Sequence, residues 1–90
     1  TEIAVAEPFM EQCILKLNEG TLSPATAAMA KLHGTELQNR VTDRCLQLFG
    51  GYGFMTEYPI GPAYADARVT TIYGGTSEIM KTIISKDVLK

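Results

Sequence analysis

From Pro24 to Phe49 no proline interrupts the chain, and apolar residues recur at helical spacing: Ala25, Ala28, Met29 and Leu32, then Leu37, Val41, Cys45 and Leu48. Ser23-Pro24 gives the start signal, an N-cap residue followed by proline in the first turn, and the Gly50-Gly51 pair gives the stop. At about 1.5 Å per residue such a helix is nearly 40 Å long. A chain of 90 residues is too short to cover a rod of that length alone. Gly34 inside the rod costs about 1 kcal/mol relative to alanine, which predicts a close approach of another backbone there. Glu36 and Arg40 stand at i, i+4 and are expected to pair, whereas Arg40 and Arg44 repel at the same spacing. That face is therefore expected to be solvated or turned to a partner.

The remaining segments read as shorter helices. Phe9, Met10, Cys13, Ile14 and Leu17 lie on one helical face, with Pro8 either in the first turn or inside a helix that starts near Ile3. Gly20 is placed to end this helix in the left-handed conformation. After Tyr58-Pro59 another helix is expected, with Ala63, Tyr64, Ala67 and Ile60 facing inward and Asp66 and Arg68 near its end. Val69-Thr70-Thr71-Ile72-Tyr73 is rich in β-branched residues and is read as extended, although one short run has no strand to pair with. Ile79, Met80, Ile83, Ile84 and Val88 mark a last helix, with Lys81, Lys86 and Lys90 suited to its C-terminal dipole. The predicted fold class is all-α, a helical bundle segment of about four helices with one long central helix.

Composition narrows the function. The chain is 46% apolar with a net charge of −2 and interspersed signs, which excludes a disordered tail and leaves no basic footprint for nucleic acid. No apolar run is long enough to span a bilayer, and the N-terminus has no signal-peptide pattern. Cys13 and Cys45 are far apart and His33 is the one histidine, so no metal site is expected. Both cysteines read as small buried hydrophobes in a reducing compartment, and His33 as a solvent-facing or core-edge residue. The chain begins at Thr1 inside a helical pattern, as expected of a piece of a longer protein.

Two glycine-bearing stretches carry the chemistry. Gly50-Gly51-Tyr52-Gly53-Phe54 presents backbone that could meet a polyanion, or else forms a tight helix end whose aromatics fold back on the core. It follows a helix and not a strand, so it is not a dinucleotide-binding fingerprint. Ile72-Tyr73-Gly74-Gly75-Thr76-Ser77-Glu78-Ile79-Met80 places two glycines and two hydroxyls just ahead of the last helix. The first N–H groups of a helix lack internal partners and attract negative charge, so this stretch can seat a phosphate, a carbonyl oxygen or a polar cofactor edge. The alternative is an ordinary loop with Thr76 or Ser77 as N-cap.

Met29-Ala30-Lys31, Leu46-Gln47-Leu48-Phe49-Gly50-Gly51-Tyr52-Gly53-Phe54 and Asp66-Ala67-Arg68-Val69 leading to Ile72–Ile79 occur in one order. Together they resemble the C-terminal helical domain of the acyl-CoA dehydrogenases, closest to the long-chain type, over essentially residues 1–90. The resemblance implies a fragment lacking the N-terminal helical and middle β domains of an FAD enzyme. That enzyme would oxidise acyl-CoA to trans-2-enoyl-CoA by α-proton abstraction and β-hydride transfer. By position, Gln47, Leu48, Phe49, Gly50 and Gly51 would touch the adenosine and pyrophosphate of an FAD held mainly by a neighbouring subunit. Thr76, Ser77 and Glu78 would contact the FAD of their own subunit, and Tyr73, Gly74 and Gly75 would border the acyl thioester. Many members carry the catalytic glutamate where this chain has Gly74, so no catalytic residue is assigned and the base is expected upstream of the fragment. The resemblance also implies a homodimer or homotetramer, an electron-transfer flavoprotein as acceptor, and a bacterial cytoplasm or mitochondrial matrix as location, without secretion. A non-catalytic relative, serving assembly or binding acyl-CoA without oxidising it, is the alternative.

Overall fold

The computed structural model describes all 90 residues. It contains four α-helices and no strand: α1 (Glu2–Glu19), α2 (Pro24–Phe49), α3 (Ile60–Arg68) and α4 (Ser77–Val88). The signals at the ends of the long helix act as read. The Ser23 hydroxyl accepts from the Thr26 N–H at 3.1 Å, and Pro24 occupies the first turn of α2. Gly20 closes α1 with φ +75°, its N–H donating to the Leu17 carbonyl at 3.1 Å. Pro8 lies inside α1, which begins at Glu2.

The rod of α2 is the common support for α1, α3 and α4. Small residues fill the seams: Ala25 and Ala28 on α2, Ala6 and Cys13 on α1, and Ala67 on α3, only 1% exposed. Nine of the 90 residues are buried and no large side chain is fully enclosed, so the interior is thin. Much of the apolar surface read as inward-facing therefore stays uncovered, including Ile14, Leu17, Ile79 and Val88. Ala63 and Tyr64 are likewise exposed, leaving Ala67 as the residue that seats α3.

Three further expectations are corrected. Gly34 is approached by the Met10 side chain and not by backbone; a Cβ there would stand 2.6 Å from the Met10 Cε. Val69–Thr71 forms a 3₁₀ turn that continues α3. No strand is available to pair with it, and the Thr70 and Thr71 hydroxyls bond back to the Ala67 and Arg68 carbonyls at 2.6 and 3.3 Å, which favours the helical path. The aromatics after α2 do not fold back on the core: Gly50–Phe54 is a 3₁₀ segment, and Phe54 is 92% exposed.

Arg40 pairs with Glu2 at 3.1 Å and not with Glu36, so the cation joins the start of α1 to the middle of α2. The Arg40 hydrogen bond, followed by its charge, holds the Glu2 carboxyl below its ordinary value of 4.5. A lowered folded-state pKa stabilises the fold above the unfolded value and loses that effect as pH falls through the folded value. Both partners are solvent-exposed, where such pairs contribute little. Glu2→Gln is therefore expected to leave the melting temperature at pH 7 almost unchanged and to flatten its dependence on pH below about 4.5, as read by thermal melts across that range.

Candidate functional site

The last connection, between the 3₁₀ turn and α4, is built by a change of backbone conformation. The Ile72 N–H donates to the Val69 carbonyl at 2.9 Å and closes the 3₁₀ turn, and the Tyr73 N–H donates to the same carbonyl at 3.1 Å. The backbone then enters positive φ at Gly74 (+61°) and Gly75 (+101°), and returns to extended geometry at Thr76. Side-chain-bearing residues adopt the Gly75 conformation only under strain. The Thr76 hydroxyl accepts from the Ile79 N–H at 3.2 Å, so Thr76 is the N-cap of α4. This satisfies one of the orphan donors at the start of the helix.

Other polar groups here stay open. The N–H groups of Gly74, Gly75 and Thr76 donate to no acceptor within the chain. Ser77 is 8% exposed, and its hydroxyl has no hydrogen-bond partner. A buried polar group left unmet costs about 1–3 kcal/mol. Free amides, an unmet hydroxyl and the positive end of a helix dipole within a few residues suit a ligand rich in acceptor oxygens. Beside this turn an open cleft of about 690 Å³ runs between α2, α3 and α4, lined among others by Asn39, Arg40, Arg68, Thr76 and Glu78.

The turn is fixed to the rod by two α2 side chains that were not assigned a site role from sequence. Asn39 Nδ2 donates to the Ala67 carbonyl at 2.9 Å, and Lys31 Nζ donates to the carbonyls of Thr70, at 3.2 Å, and Gly75. Lys31 lies in the Met29-Ala30-Lys31 motif, but no local pattern links it to carbonyls 39 and 44 residues away.

Gln47 to Gly51 form a separate surface at the far end of α2. Lys31 and Gly50 are about 28 Å apart along the axis at about 1.5 Å per residue. Leu48 is 87% exposed there. Gly50 has φ +60° and ψ −137°, and a Cβ added to Gly50 or Gly51 would meet nothing within 4 Å. Tyr58 packs against Phe49 and Tyr52, with ring centroids 6.2 and 5.2 Å apart. The fold thus gathers Tyr73, Gly74, Gly75, Thr76, Ser77 and Glu78 at one turn and keeps Gln47–Gly51 apart from them.

The sequence profile of the acyl-CoA dehydrogenase C-terminal domain matches residues 1–89. The chain belongs to the acyl-CoA dehydrogenase family. It is 48% identical over 89 residues to the mitochondrial long-chain specific acyl-CoA dehydrogenase of Rattus norvegicus, covering 99% of this chain and 21% of that protein. The acryloyl-CoA reductase (NADH) of Anaerotignum propionicum is 40% identical over 90 residues, all of this chain and 23% of the relative. Among solved structures, an acyl-CoA dehydrogenase from Geobacillus kaustophilus superposes with a TM-score of 0.93 at 42% identity, over 98% of this chain and 23% of that one. The chain therefore spans 21–23% of the length of these two curated relatives.

Proposed function

We propose that residues 1–90 are the C-terminal helical domain of a flavoenzyme that oxidises acyl-CoA to trans-2-enoyl-CoA. The observation that carries this reading is the cluster of unmet amides at Gly74–Thr76 beside the unmet Ser77 hydroxyl. The homologous acyl-CoA dehydrogenases are FAD-dependent, and the residues here fit such a group. When bound, FAD supplies the two-electron acceptor for the β-hydride. Thr76, Ser77 and Glu78 hold the FAD of their own subunit through the start of α4. Gln47, Leu48, Phe49, Gly50 and Gly51 border the adenosine and pyrophosphate of an FAD held mainly by another subunit. The separation of about 28 Å along α2 supports this division.

Tyr73, Gly74 and Gly75 border the acyl thioester. The Gly74 N–H donates to the thioester oxygen, which gathers negative charge as the α-proton leaves. Gly74 has no acid to take that proton, and Glu78 is engaged with the cofactor, so a carboxylate elsewhere in the parent enzyme acts as base. The missing acid at position 74 also sustains a second reading, a relative that assembles or binds acyl-CoA without oxidising it.

Exposed Leu48 and Phe54 next to the second cofactor surface support a homodimer or homotetramer. The family resemblance, together with a similar chain in a solved structure described as the electron transferring flavoprotein of Acidaminococcus fermentans, favours a protein of that kind as electron acceptor. No helix is long and apolar enough to cross a membrane. Relatives named as mitochondrial, together with bacterial ones, support a mitochondrial matrix or bacterial cytoplasm as location.

The test is the visible spectrum of the purified parent protein. A yellow protein whose flavin band bleaches on anaerobic addition of acyl-CoA is expected. A flavoprotein that no acyl-CoA bleaches favours the second reading, and a protein that cannot be loaded with FAD sinks both cofactor assignments.

A further inference from the structure

The geometry points to Lys31 as a positioning residue for the Gly74–Gly75 turn, bracing it from behind and strengthening the Thr76 N–H as a donor to the ligand. This rests on the function proposed above and adds a residue that it leaves without a role. Lys31 Nζ donates to the Thr70 carbonyl at 3.2 Å and to the Gly75 carbonyl, so one ammonium joins both ends of the connection between α3 and α4. Its Cε lies 3.8 Å from the place a Cβ on Gly74 would occupy. The side chain thus lies directly behind the left-handed glycine backbone.

Two further facts separate this contact from ordinary surface packing. Lys31 is half-buried, and no carboxylate lies within ion-pair distance of it; the ion pairs of the chain are Glu2–Arg40 and Asp87–Lys90. Its charge is balanced by carbonyl dipoles, a concentrated use of a group that prefers water. The Gly75–Thr76 peptide is trans, as are all peptides in the chain. A trans peptide points its N–H opposite to its C=O. With the Gly75 carbonyl held by Lys31, the Thr76 N–H points away from the lysine, and it is one of the donors without a partner. A charge-assisted bond at one end of a peptide polarises the other, so the amide becomes a stronger donor.

The experiment replaces Lys31 in the full-length, FAD-loaded parent enzyme. Lys31→Met keeps the length of the apolar stem and removes the charge. It is expected to lower kcat by about 10- to 100-fold while KM stays within about threefold. It is also expected to raise the carbonyl stretching frequency of a bound, unreactive acyl thioester, since the Gly74 N–H of the unbraced turn is then aimed less well at that oxygen. Lys31→Arg, which retains the charge, is expected to recover part of both. Unchanged kcat and an unchanged carbonyl stretch in FAD-loaded Lys31→Met overturn the inference. Should that variant fail to load FAD, Lys31→Gln decides, because it keeps a neutral donor: wild-type kcat overturns the inference and an intermediate loss supports it. A wild-type parent that acyl-CoA does not bleach counts against the proposed function, whereas an active parent indifferent to position 31 counts against Lys31 alone.

Discussion

Gly74→Pro in the full-length enzyme is expected to lose on the order of 10²–10³-fold in kcat, and Gly74→Ala about tenfold or less. The contrast follows from what each substitution changes. At Gly74 φ is +61°, and a Cβ would meet only the Lys31 Cε at 3.8 Å. Alanine therefore has room and keeps its N–H, and its cost is the left-handed backbone, about 1–2 kcal/mol. Proline fixes φ near −65°, so it cannot hold the turn, and it has no N–H to offer. Steady-state assays with an acyl-CoA, run beside FAD content and thermal melts, measure the two losses. Equal losses in two folded, FAD-loaded variants would show that the Gly74 amide donates to nothing that matters.

Gly51→Leu is expected to leave folding intact and to weaken FAD binding by about 100-fold, the equivalent of one charged hydrogen bond at about 1.5–3 kcal/mol. Gly51 has no positive φ, and an added Cβ meets nothing within 4 Å, so this chain has no objection to a side chain there. Any objection comes from what approaches the backbone. Gly50→Leu makes the control, because Gly50 has φ +60° and ψ −137° and a side chain there also costs about 1–3 kcal/mol of stability. FAD titration of the apoenzyme and a melt of each variant separate these effects. Full FAD affinity in Gly51→Leu would remove the end of α2 from cofactor contact.

Local signals were legible where the hydrogen bond they create is local. Ser23, Pro24 and Gly20 fixed their helix ends because each acts within a few residues of itself. The glycine turn before α4 was legible for the same reason, since positive φ at Gly74 and Gly75 and the Thr76 cap are properties of the stretch. What failed depends on distant neighbours. The β-branched run at 69–73 lacked a strand to join and took the 3₁₀ path that its threonine hydroxyls satisfy. The Arg40 partner, Glu2, lies 38 residues away and displaced the nearby Glu36. The Gly34 neighbour proved to be the flexible Met10 side chain. The inward faces read on α1 and α3 were overestimated because helical spacing reports which residues share a side, not whether anything covers it. Lys31 stood in one of the motifs, but its role was not legible because its acceptors are backbone atoms, which have no letter of their own.

Ala67, 1% exposed, is the residue that seats α3 on the rod, and this has a consequence for the turn. Ala67 is buried and its own carbonyl accepts from Asn39 Nδ2, a few residues ahead of the Lys31 contacts. One methyl group there acts as a shim of fixed thickness. A thicker one would prise α3 off the rod and carry the Thr70 and Gly75 oxygens out of reach of the ammonium. Drift at these seams is thus constrained by alignment as much as by melting temperature, and a variant could remain folded while its turn no longer meets its ligand.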